Sequence, residues 1–517
     1  MRVPRLWVLP IALFLALTCE TATAQTAPGR SAPDLVLTGD VTGAQNKTYF
    51  EVPFEVPAGK HRLTVDFRYT ARDQRATLDP GIFDPQRFRG ESGGNKSHFT
   101  LSETDATPSY LPGVIVPGKW HLLISVPNMR AQVVSHYTAE IRFDDRDEDA
   151  GFAAQPLATG KRWYRGDLHM HTAHSDGSCL SQGGRQVPCP LYLTVETAAA
   201  RALDFIAISD HNADSQNNDL RELQPYLDRL LLIPGREMTT FHGHFNVWGV
   251  TQFMDFRVSP GSLSLNDVLR DAIAKGGIAS VNHAEAPEGE DCMGCRWEPS
   301  ADTDMDLFSA VEVINYGEIM FSSAKYWDSQ LRAGHRLAAV GGSDNHYATA
   351  PPGYPSAVGW PTTVVEANEL SVPAILNGIR NGRTFIDLTA SRDKALDFEA
   401  KSGGSVAKMG ETLRVSGGSV LNIAIQVTGA QGSTAHLLLD GEESSATSAL
   451  PVQSANAEVT ATLAAPAGRH WLRVEIRDNS SKNELISSSI YINFPEEHEV
   501  SLLLHGVEDH VSARAGR

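Results

Sequence analysis

The stretch YRGDLHMHTAHSDGS, residues 164–178, carries three histidines and two aspartates within fifteen residues. It begins as a strand-like run and ends in a polar loop, which places His169 and His171 at a strand end. Side chains at positions i and i+2 of a strand point to one side, so both imidazoles can reach one metal ion. Asp176 follows five residues later in the loop. A single His-x-His pair is weak evidence, so its meaning depends on partners elsewhere in the chain.

Further apolar, strand-like runs also close on histidine or a carboxylate. They are FIAISDHN with Asp210 and His211, LLLIPGREM with Glu237, FHGHFNVWG with His244, IASVNHAEAP with His283, and LAAVGGSDNHY with Asp344 and His346. Ionisable groups gathered at strand ends are costly unless they are paired or bound to metal. This recurrence predicts a metal site.

Three residues beside these positions are candidates for roles in catalysis. Neighbouring strand residues face opposite ways, so we expect His211 to be a ligand and Asp210 to orient it or to relay protons. Asp167 has the same two candidate roles, and a hydrogen bond to nearby backbone is the alternative for both. Arg236, beside Glu237, could bind a phosphate group, or it could simply balance the charge of carboxylates.

The pattern of predicted elements divides the chain. Residues 25–155 and 395–497 contain short β-type runs separated by Gly, Pro and Asn, which favours a β-sandwich in each. Between them, over 160–390, apolar strands alternate with helical patterns, which indicates a parallel α/β domain of barrel type. Residues 498–517 are a tail without a clear pattern.

The motifs GDLHMHTAHSDG, DFIAISDHN, PGREM, HFNVWG, SVNHAEAP and GGSDNHY resemble those of the PHP (polymerase and histidinol phosphatase) superfamily. The exported layout, the flanking sandwiches and the GRTFID ending look most like the CehA/McbA-type metallohydrolases. The resemblance covers about residues 160–390.

The resemblance implies a distorted (β/α)7 PHP-type barrel with up to three ions. It implies one ion held by His169, His171, Glu237 and Asp344, a second held by Glu237, His244 and His283, and a third held by Asp176, His211 and His346. His242, two positions before His244, is the alternative ligand at this place.

Composition and the N-terminus predict an exported protein. The 517 residues include 44 basic and 62 acidic side chains, a net charge of −18, which disfavours binding to nucleic acid. Arg2 and Arg5 precede the apolar run Leu6–Thr18, and Ala22–Ala24 has the form of a cleavage site, so 1–24 is a predicted signal peptide. Lipid attachment at Cys19 is the less favoured alternative. No later run is long and apolar enough to span a membrane.

Removing the signal peptide leaves four cysteines: Cys179, Cys189, Cys292 and Cys295. An oxidising compartment favours disulfides, and the local pairs Cys179–Cys189 and Cys292–Cys295 are expected. A structural zinc ion held by all four thiolates is the alternative.

These features predict a metal-dependent hydrolase that uses a metal-activated hydroxide in a two- or three-metal site. Imidazole and carboxylate ligands suit Zn, Mn or Fe without choosing among them. The PHP resemblance favours a small phosphoester substrate, whereas the CehA/McbA resemblance points to a carbamate, ester or amide. A non-catalytic, metal-containing protein that binds glycans or another partner is the remaining alternative.

Overall fold

The computed structural model describes residues 32–145, 156–259, 261–287, 294–315, 321–443 and 449–495. The predicted signal peptide 1–24 and the tail 498–517 lie outside these ranges. Among the described residues, none of the helices combines the length and the apolar character that a bilayer span requires.

Strands dominate the described chain. They are β1 (Leu35–Thr42), β2 (Tyr49–Val56), β3 (Arg62–Tyr69), β4 (Thr77–Phe83), β5 (Phe88–Glu91), β6 (His98–Ser102), β7 (Gly118–Asn128), β8 (Val134–Asp144), β9 (Thr159–Asp167), β10 (Ser178–Leu180), β11 (Gln186–Pro188), β12 (Phe205–Ile208), β13 (Leu231–Thr240), β14 (Gly243–Trp248), β15 (Ile278–Val281), β16 (Ala310–Asn315), β17 (Phe321–Ser322), β18 (Ala338–Gly342), β19 (Thr362–Glu369), β20 (Thr384–Asp387), β21 (Ala395–Ser402), β22 (Ser405–Lys408), β23 (Thr412–Leu413), β24 (Val420–Thr428), β25 (Thr434–Leu439), β26 (Glu442–Glu443), β27 (Leu450–Pro451), β28 (Asn456–Ala464), β29 (His470–Arg477), β30 (Asn483–Ser487) and β31 (Ile490–Ile492).

The helices are fewer and short. The described residues contain α1 (Leu191–Ala200), α2 (Gln216–Leu223), α3 (Leu265–Ala274), α4 (Ala324–Ala333) and α5 (Val372–Arg380). Single 3-10 turns occur at Gly43–Gln45, Arg72–Gln74, Gln224–Tyr226 and Met305–Leu307.

The N-terminal part consists of two four-stranded antiparallel sheets, ordered β1-β8-β3-β6 and β2-β7-β4-β5. Alternating side chains of both sheets meet in one apolar core, with Val65 and Ile141 from the first sheet against Phe54 and Leu122 from the second. This two-layer packing is that of a β-sandwich. It contacts the next region through the buried Asp105, whose carboxylate pairs with Arg221 of α2.

The central region is a closed mixed sheet, so the predicted distorted (β/α)7 PHP-type barrel is wrong. Among the residues that the structure describes, strands make up 44% and helices 14%, which is far too little helix for that fold. Strands β9, β12 and β13 pair in parallel, as do β15, β16 and β18. Strand β14, however, lies antiparallel between β13 and β15, and β19 lies antiparallel between β9 and β20.

Connections explain the difference from the predicted fold. Strands β13 and β14 form a hairpin that turns at Phe241 and His242, where a (β/α)7 barrel requires a helical crossover. The described residues between β15 and β16 contain the 3-10 turn Met305–Leu307 and no α-helix. The spacing of apolar runs does not reveal strand direction, so the same sequence pattern fitted both arrangements.

The C-terminal strands continue the central sheet. Strand β30 pairs antiparallel with β20, and through it β29, β25 and β31 join the same sheet. A separate sheet ordered β22-β21-β24-β28 packs over these strands, and Leu396 and Ile423 share a core with Leu437 and Val474. The core also includes Phe385 of β20, so central and C-terminal parts share apolar packing.

Candidate metal centre

The structure brings together all nine residues that the sequence assigned as metal ligands. His169 and His171 follow β9, His211 follows β12, His283 follows β15, and Asp344 and His346 follow β18. Glu237 lies within β13 and His244 within β14. They form four overlapping groups whose ligand atoms lie within 4.8 Å of one another, and each group could hold a metal ion: His171, Asp176, His211 and His346; His169, His283 and Asp344; His169, His171 and Glu237; Glu237, His244 and His283.

The Glu237 carboxylate lies at the centre of this cluster. Its Oε1 atom is 3.2 Å from Nε2 of His283 and 3.3 Å from Nδ1 of His244. Its Oε2 atom faces the opposite set of imidazoles, at 2.9 Å from Nδ1 of His211 and 3.4 Å from Nε2 of His169. A carboxylate whose two oxygens face separate imidazole sets has the geometry of a ligand that bridges two ions.

Asp344 provides the second largely buried carboxylate of the cluster, with its side chain 18% exposed. Its Oδ1 atom lies 3.0 Å from Nε2 of His171 and 3.3 Å from Nε2 of His169. The backbone at Asp344 has a φ of 50°, and His283 has a φ of 24°, conformations that are uncommon for residues with side chains. Local strain of this kind persists only where the surroundings fix it, and it clusters at functional sites.

Asp176, His211 and His346 form the more exposed side of the cluster. Oδ1 of Asp176 is 3.3 Å from Nε2 of His346 and 3.8 Å from Nε2 of His211. The Asp176 side chain is 58% exposed, whereas those of His169 and Glu237 are almost fully buried. Solvent therefore reaches this group more readily than the interior ones.

The residues fit a divalent metal centre. Nε2 of His169 is buried without a hydrogen-bond partner, although it lies 3.4 Å from an oxygen of Glu237 and 3.3 Å from an oxygen of Asp344. Leaving such a nitrogen unpaired is costly, and an ion between the imidazole and the carboxylates would remove that cost. Six imidazoles and three carboxylates make a donor set suited to Zn, Mn or Fe.

The electrostatics keep the carboxylates ionised. Burial by itself raises the pKa of Glu237, but the imidazoles of His169, His211 and His244 outweigh it and hold the pKa well below its usual range. Burial also raises the pKa of Asp344, but the imidazoles of His169 and His171 outweigh burial and hold that pKa well below its usual range. Ionised carboxylates are the form that binds metal.

Asp210 and Asp167 hold backbone loops in place. Asp210 accepts hydrogen bonds from the backbone N–H of Thr172 at 2.7 Å, from its hydroxyl at 2.8 Å and from the Ser175 hydroxyl at 2.6 Å, which fixes the loop that carries Asp176. Asp167 accepts from the backbone N–H groups of Ser343 at 3.1 Å and Gly359 at 2.6 Å.

Asp167 also accepts from the backbone N–H of His169 at 3.3 Å. It thereby ties the end of β9 to the end of β18. Burial raises the pKa of Asp167 despite these hydrogen bonds. Both aspartates therefore bind nearby backbone N–H groups, and Asp210 also binds two hydroxyls; a role of either in orienting ligands or relaying protons stays a prediction.

Arg236 does not face the cluster. Its guanidinium is buried, pairs with Asp214 and donates to the backbone carbonyl of Val250 at 3.2 Å. Because Glu237 is the next residue of β13, the two side chains point to opposite faces of the strand. Arg236, a candidate for binding phosphate, therefore forms an internal ion pair with Asp214.

Sequence reasoning missed Glu312, a carboxylate of β16 that is 2% exposed. Its Oε1 atom accepts from Nδ1 of His169 at 2.9 Å, and its Oε2 atom accepts from the backbone N–H of His283 at 3.1 Å. The signal was present in the sequence, because Glu312 is the one charged residue in the apolar strand AVEVIN. Asn282 was missed as well, and its amide donates to Oε1 of Glu237 at 2.9 Å.

A disulfide-linked hairpin lies beside the exposed group. Cys179 of β10 is bonded to Cys189, which directly follows β11, as predicted. Two bonded cysteines cannot serve as thiolates, so the alternative zinc site with four cysteines is wrong. Cys292 lies outside the described residues, and its pairing with Cys295 stays a prediction.

The hairpin contacts the loops that carry two candidate ligands. The backbone N–H of Ser178 donates to the carbonyl of His346 at 2.7 Å. The N–H of Ala173 donates to the carbonyl of Cys189 at 2.8 Å, and the N–H of Cys189 donates to the carbonyl of Gly177 at 2.9 Å. These bonds fix the backbone on either side of Asp176 and at His346.

Comparison with protein-family models found no match, and a search of curated proteins found none either.

Proposed function

We propose that this chain is a metal-dependent hydrolase with a centre of two or three divalent ions. The observation that carries the proposal is the placement of Glu237, whose two carboxylate oxygens face separate sets of imidazoles. His244 and His283 would hold an ion on the Oε1 side. On the Oε2 side, His169, His171 and Asp344 would hold a second, and Asp176, His211 and His346 would hold the third.

When bound, ions in this arrangement would supply an activated water and stabilise the charge that develops on the substrate. The protein's own groups keep the ligands in position. Asp210 fixes the loop of Asp176, and Asp167 ties the segments of His169 and Asp344 together. Thr239 accepts from, or donates to, Nδ1 of His211 at 2.6 Å and so fixes the orientation of that ring.

We propose phosphoester bonds as the substrate class, because the motifs resemble those of the PHP superfamily. The second candidate is a carbamate, ester or amide bond of the type cleaved by CehA/McbA proteins. The internal ion pair of Arg236 with Asp214 favours this second candidate, since it removes one cation from the set that could bind phosphate.

We also propose that the chain is exported. The predicted signal peptide supports this, and so does the Cys179–Cys189 disulfide, because disulfides persist mainly in oxidising compartments.

The test is an activity screen of the full chain loaded with Zn, Mn or Fe. The substrates are nitrophenyl phosphate, bis-nitrophenyl phosphate, nitrophenyl acetate and an aryl carbamate. We expect metal-dependent turnover of at least one substrate, and the preferred one decides between the two bond classes. Metal content below one equivalent after supplemented expression would refute the proposal.

The same screen is applied to the variant Glu237→Gln. It keeps the shape of the side chain and removes the charge that both sides of the cluster share, so we expect loss of bound metal and of turnover. Glu475→Gln is the matched control, because Glu475 is a buried carboxylate that pairs with Arg473 and Arg477 in the C-terminal region. Equal turnover by Glu237→Gln and wild type would show that the site is assigned wrongly.

A further inference from the structure

The buried Glu312 carboxylate receives three hydrogen-bond donors from the walls of the cluster. Nδ1 of His169 lies 2.9 Å from Oε1, the backbone N–H of His283 lies 3.1 Å from Oε2, and the side-chain amide of Asn315 lies 2.9 Å from Oε2. A carboxylate offers acceptors only, so each of the three groups donates to it. The same Asn315 amide group also lies 3.3 Å from Oδ2 of Asp344.

This arrangement fixes which nitrogen of His169 is available to a metal. Because Nδ1 donates to Glu312, its proton is held on the side away from the cluster. The lone pair of the ring then belongs to Nε2, the buried atom that has no hydrogen-bond partner and faces Glu237 and Asp344. A histidine that binds metal through one nitrogen usually donates the other N–H to a carboxylate or a carbonyl.

Packing holds Glu312 in this position. Strand β16 is paired with β18, and a Cβ atom on Gly342 of β18 would collide with Oε1 of Glu312 and with Cβ of His169. The absence of a side chain at Gly342 therefore lets Glu312 and His169 lie against that strand. Any larger residue there would push apart the pair that orients the imidazole.

We propose that Glu312 is the positioning residue of the metal centre: it sets the Nε2-binding form of His169 and, through its second oxygen, the backbone of His283. The inference deepens the proposed function and rests on it. One carboxylate thereby orients ligands of two ions, since His169 and His283 lie on different sides of Glu237. Glu312 belongs to none of the four ligand groups, so it would act through other residues.

Glu312→Gln is the decisive variant because glutamine cannot accept from all three donors. If its NH₂ group faces His169, it opposes Nδ1–H and favours the tautomer that protonates Nε2. If the NH₂ group faces the other way, it meets the N–H donors of His283 and Asn315. We expect the affinity for Zn²⁺ in the buried groups to fall by about 10–100-fold, measured by competition with a chelator on the full chain.

Glu475→Gln is the control for loss of a buried charge, and we expect its Zn²⁺ affinity to match that of wild type. Thermal unfolding of all variants in excess chelator reports stability separately from binding. If Glu312→Gln fails to fold, Asn315→Ala replaces it, because this variant removes one donor and frees the carboxylate to shift. We expect a smaller loss of affinity for it, and an unchanged affinity would overturn the inference.

The outcomes separate the two proposals. Wild-type Zn²⁺ affinity in Glu312→Gln overturns the positioning role and leaves the hydrolase proposal in place. Loss of affinity in a protein that hydrolyses nothing supports the positioning role and overturns the hydrolase. A wild-type chain that binds none of Zn²⁺, Mn²⁺ and Fe²⁺ overturns both.

Discussion

Oδ1 of Asp176 lies 3.3 Å from Nε2 of His346, and both side chains are open to solvent, whereas His169 and Glu237 are buried. An ion bound between Asp176, His211 and His346 would therefore exchange with solvent more readily than one in the interior. The cluster combines one accessible ligand group with three more deeply buried ones.

Asp176→Asn should remove one ion and leave the others. Asp176 is the only carboxylate of the exposed group, and it belongs to none of the buried groups. Before chelator treatment, we expect the variant to contain about one equivalent of metal less than wild type. After a brief exposure to chelator, we expect the variant and wild type to contain the same amount of metal. Mass spectrometry of the metals measures both. Asp219→Asn is the control, since Asp219 pairs with His174 outside the groups. Loss of all ions would contradict the division.

Replacing both Cys179 and Cys189 with serine should weaken the fold and the exposed group together. The disulfide closes a loop with a sequence separation of 10, so the free energy of unfolding should fall by about 3 kcal/mol. Urea unfolding of the chelated protein measures this change. Zn²⁺ affinity of the exposed group should fall as well, because the hairpin holds the backbone of His346. Gln182→Ala, at an exposed position of the same hairpin, should change neither quantity.

Arg236→Met should destabilise the protein by about 3–5 kcal/mol, because it leaves Asp214 without its buried partner. Combining it with Asp214→Asn should recover most of that loss. If Arg236 has only this structural role, the double variant will keep the wild-type KM for nitrophenyl phosphate. A KM that rises for the phosphate and not for nitrophenyl acetate would instead make Arg236 a phosphate-binding residue.

Asp105 should make the contact between the N-terminal and central regions less stable at acid pH. Burial raises its pKa, but the guanidiniums of Arg62 and Arg221 outweigh burial and lower it. Because the folded pKa lies below the unfolded value of about 3.9, the stabilisation is fully present above that pH and is lost as the pH falls toward the folded value.

The variant Asp105→Asn tests this dependence. Its deficit in unfolding free energy against wild type should be about 3–5 kcal/mol at pH 6 and should shrink below about pH 4. Urea titrations in chelator at pH 6 and pH 3 measure it without a contribution from metals. Asp73→Asn, an exposed position in the same region, should show no deficit at either pH. A deficit independent of pH would refute the role of the charge.

The sequence predicted the members of the cluster more accurately than the fold that holds them. His169, His171, His283, Asp344 and His346 each follow an apolar strand, and strand ends can be recognised from alternation and turn residues alone. The direction of a strand relative to its neighbours cannot be recognised in this way, because it depends on which strands pair. The sequence shows the two strands on either side of Phe241 and His242 but not that they pair as an antiparallel hairpin. The sequence pattern therefore predicted a parallel barrel where the protein has a mixed sheet.

Orientation was the second quantity that the sequence did not provide. Arg236 and Glu237 are neighbours, and nothing local shows which one faces the cluster. Glu312 was overlooked because it lies inside a strand and not at its end, although a lone carboxylate in AVEVIN requires partners wherever it is buried. Residues that support ligands from neighbouring strands become visible only when the strands are assembled.

The antiparallel pairing of β20 with β30 limits how this protein can be shortened. A fragment ending near residue 390 would keep all nine candidate ligands, yet it would leave the backbone of Phe385, Ile386 and Asp387 as an open sheet edge. It would also expose Phe385 and Val364, which share their apolar core with C-terminal strands. Unprotected edges of this kind recruit other chains. The C-terminal strands therefore cover an edge that would otherwise favour self-association, and the region that carries the nine candidate ligands depends on them to remain a closed sheet.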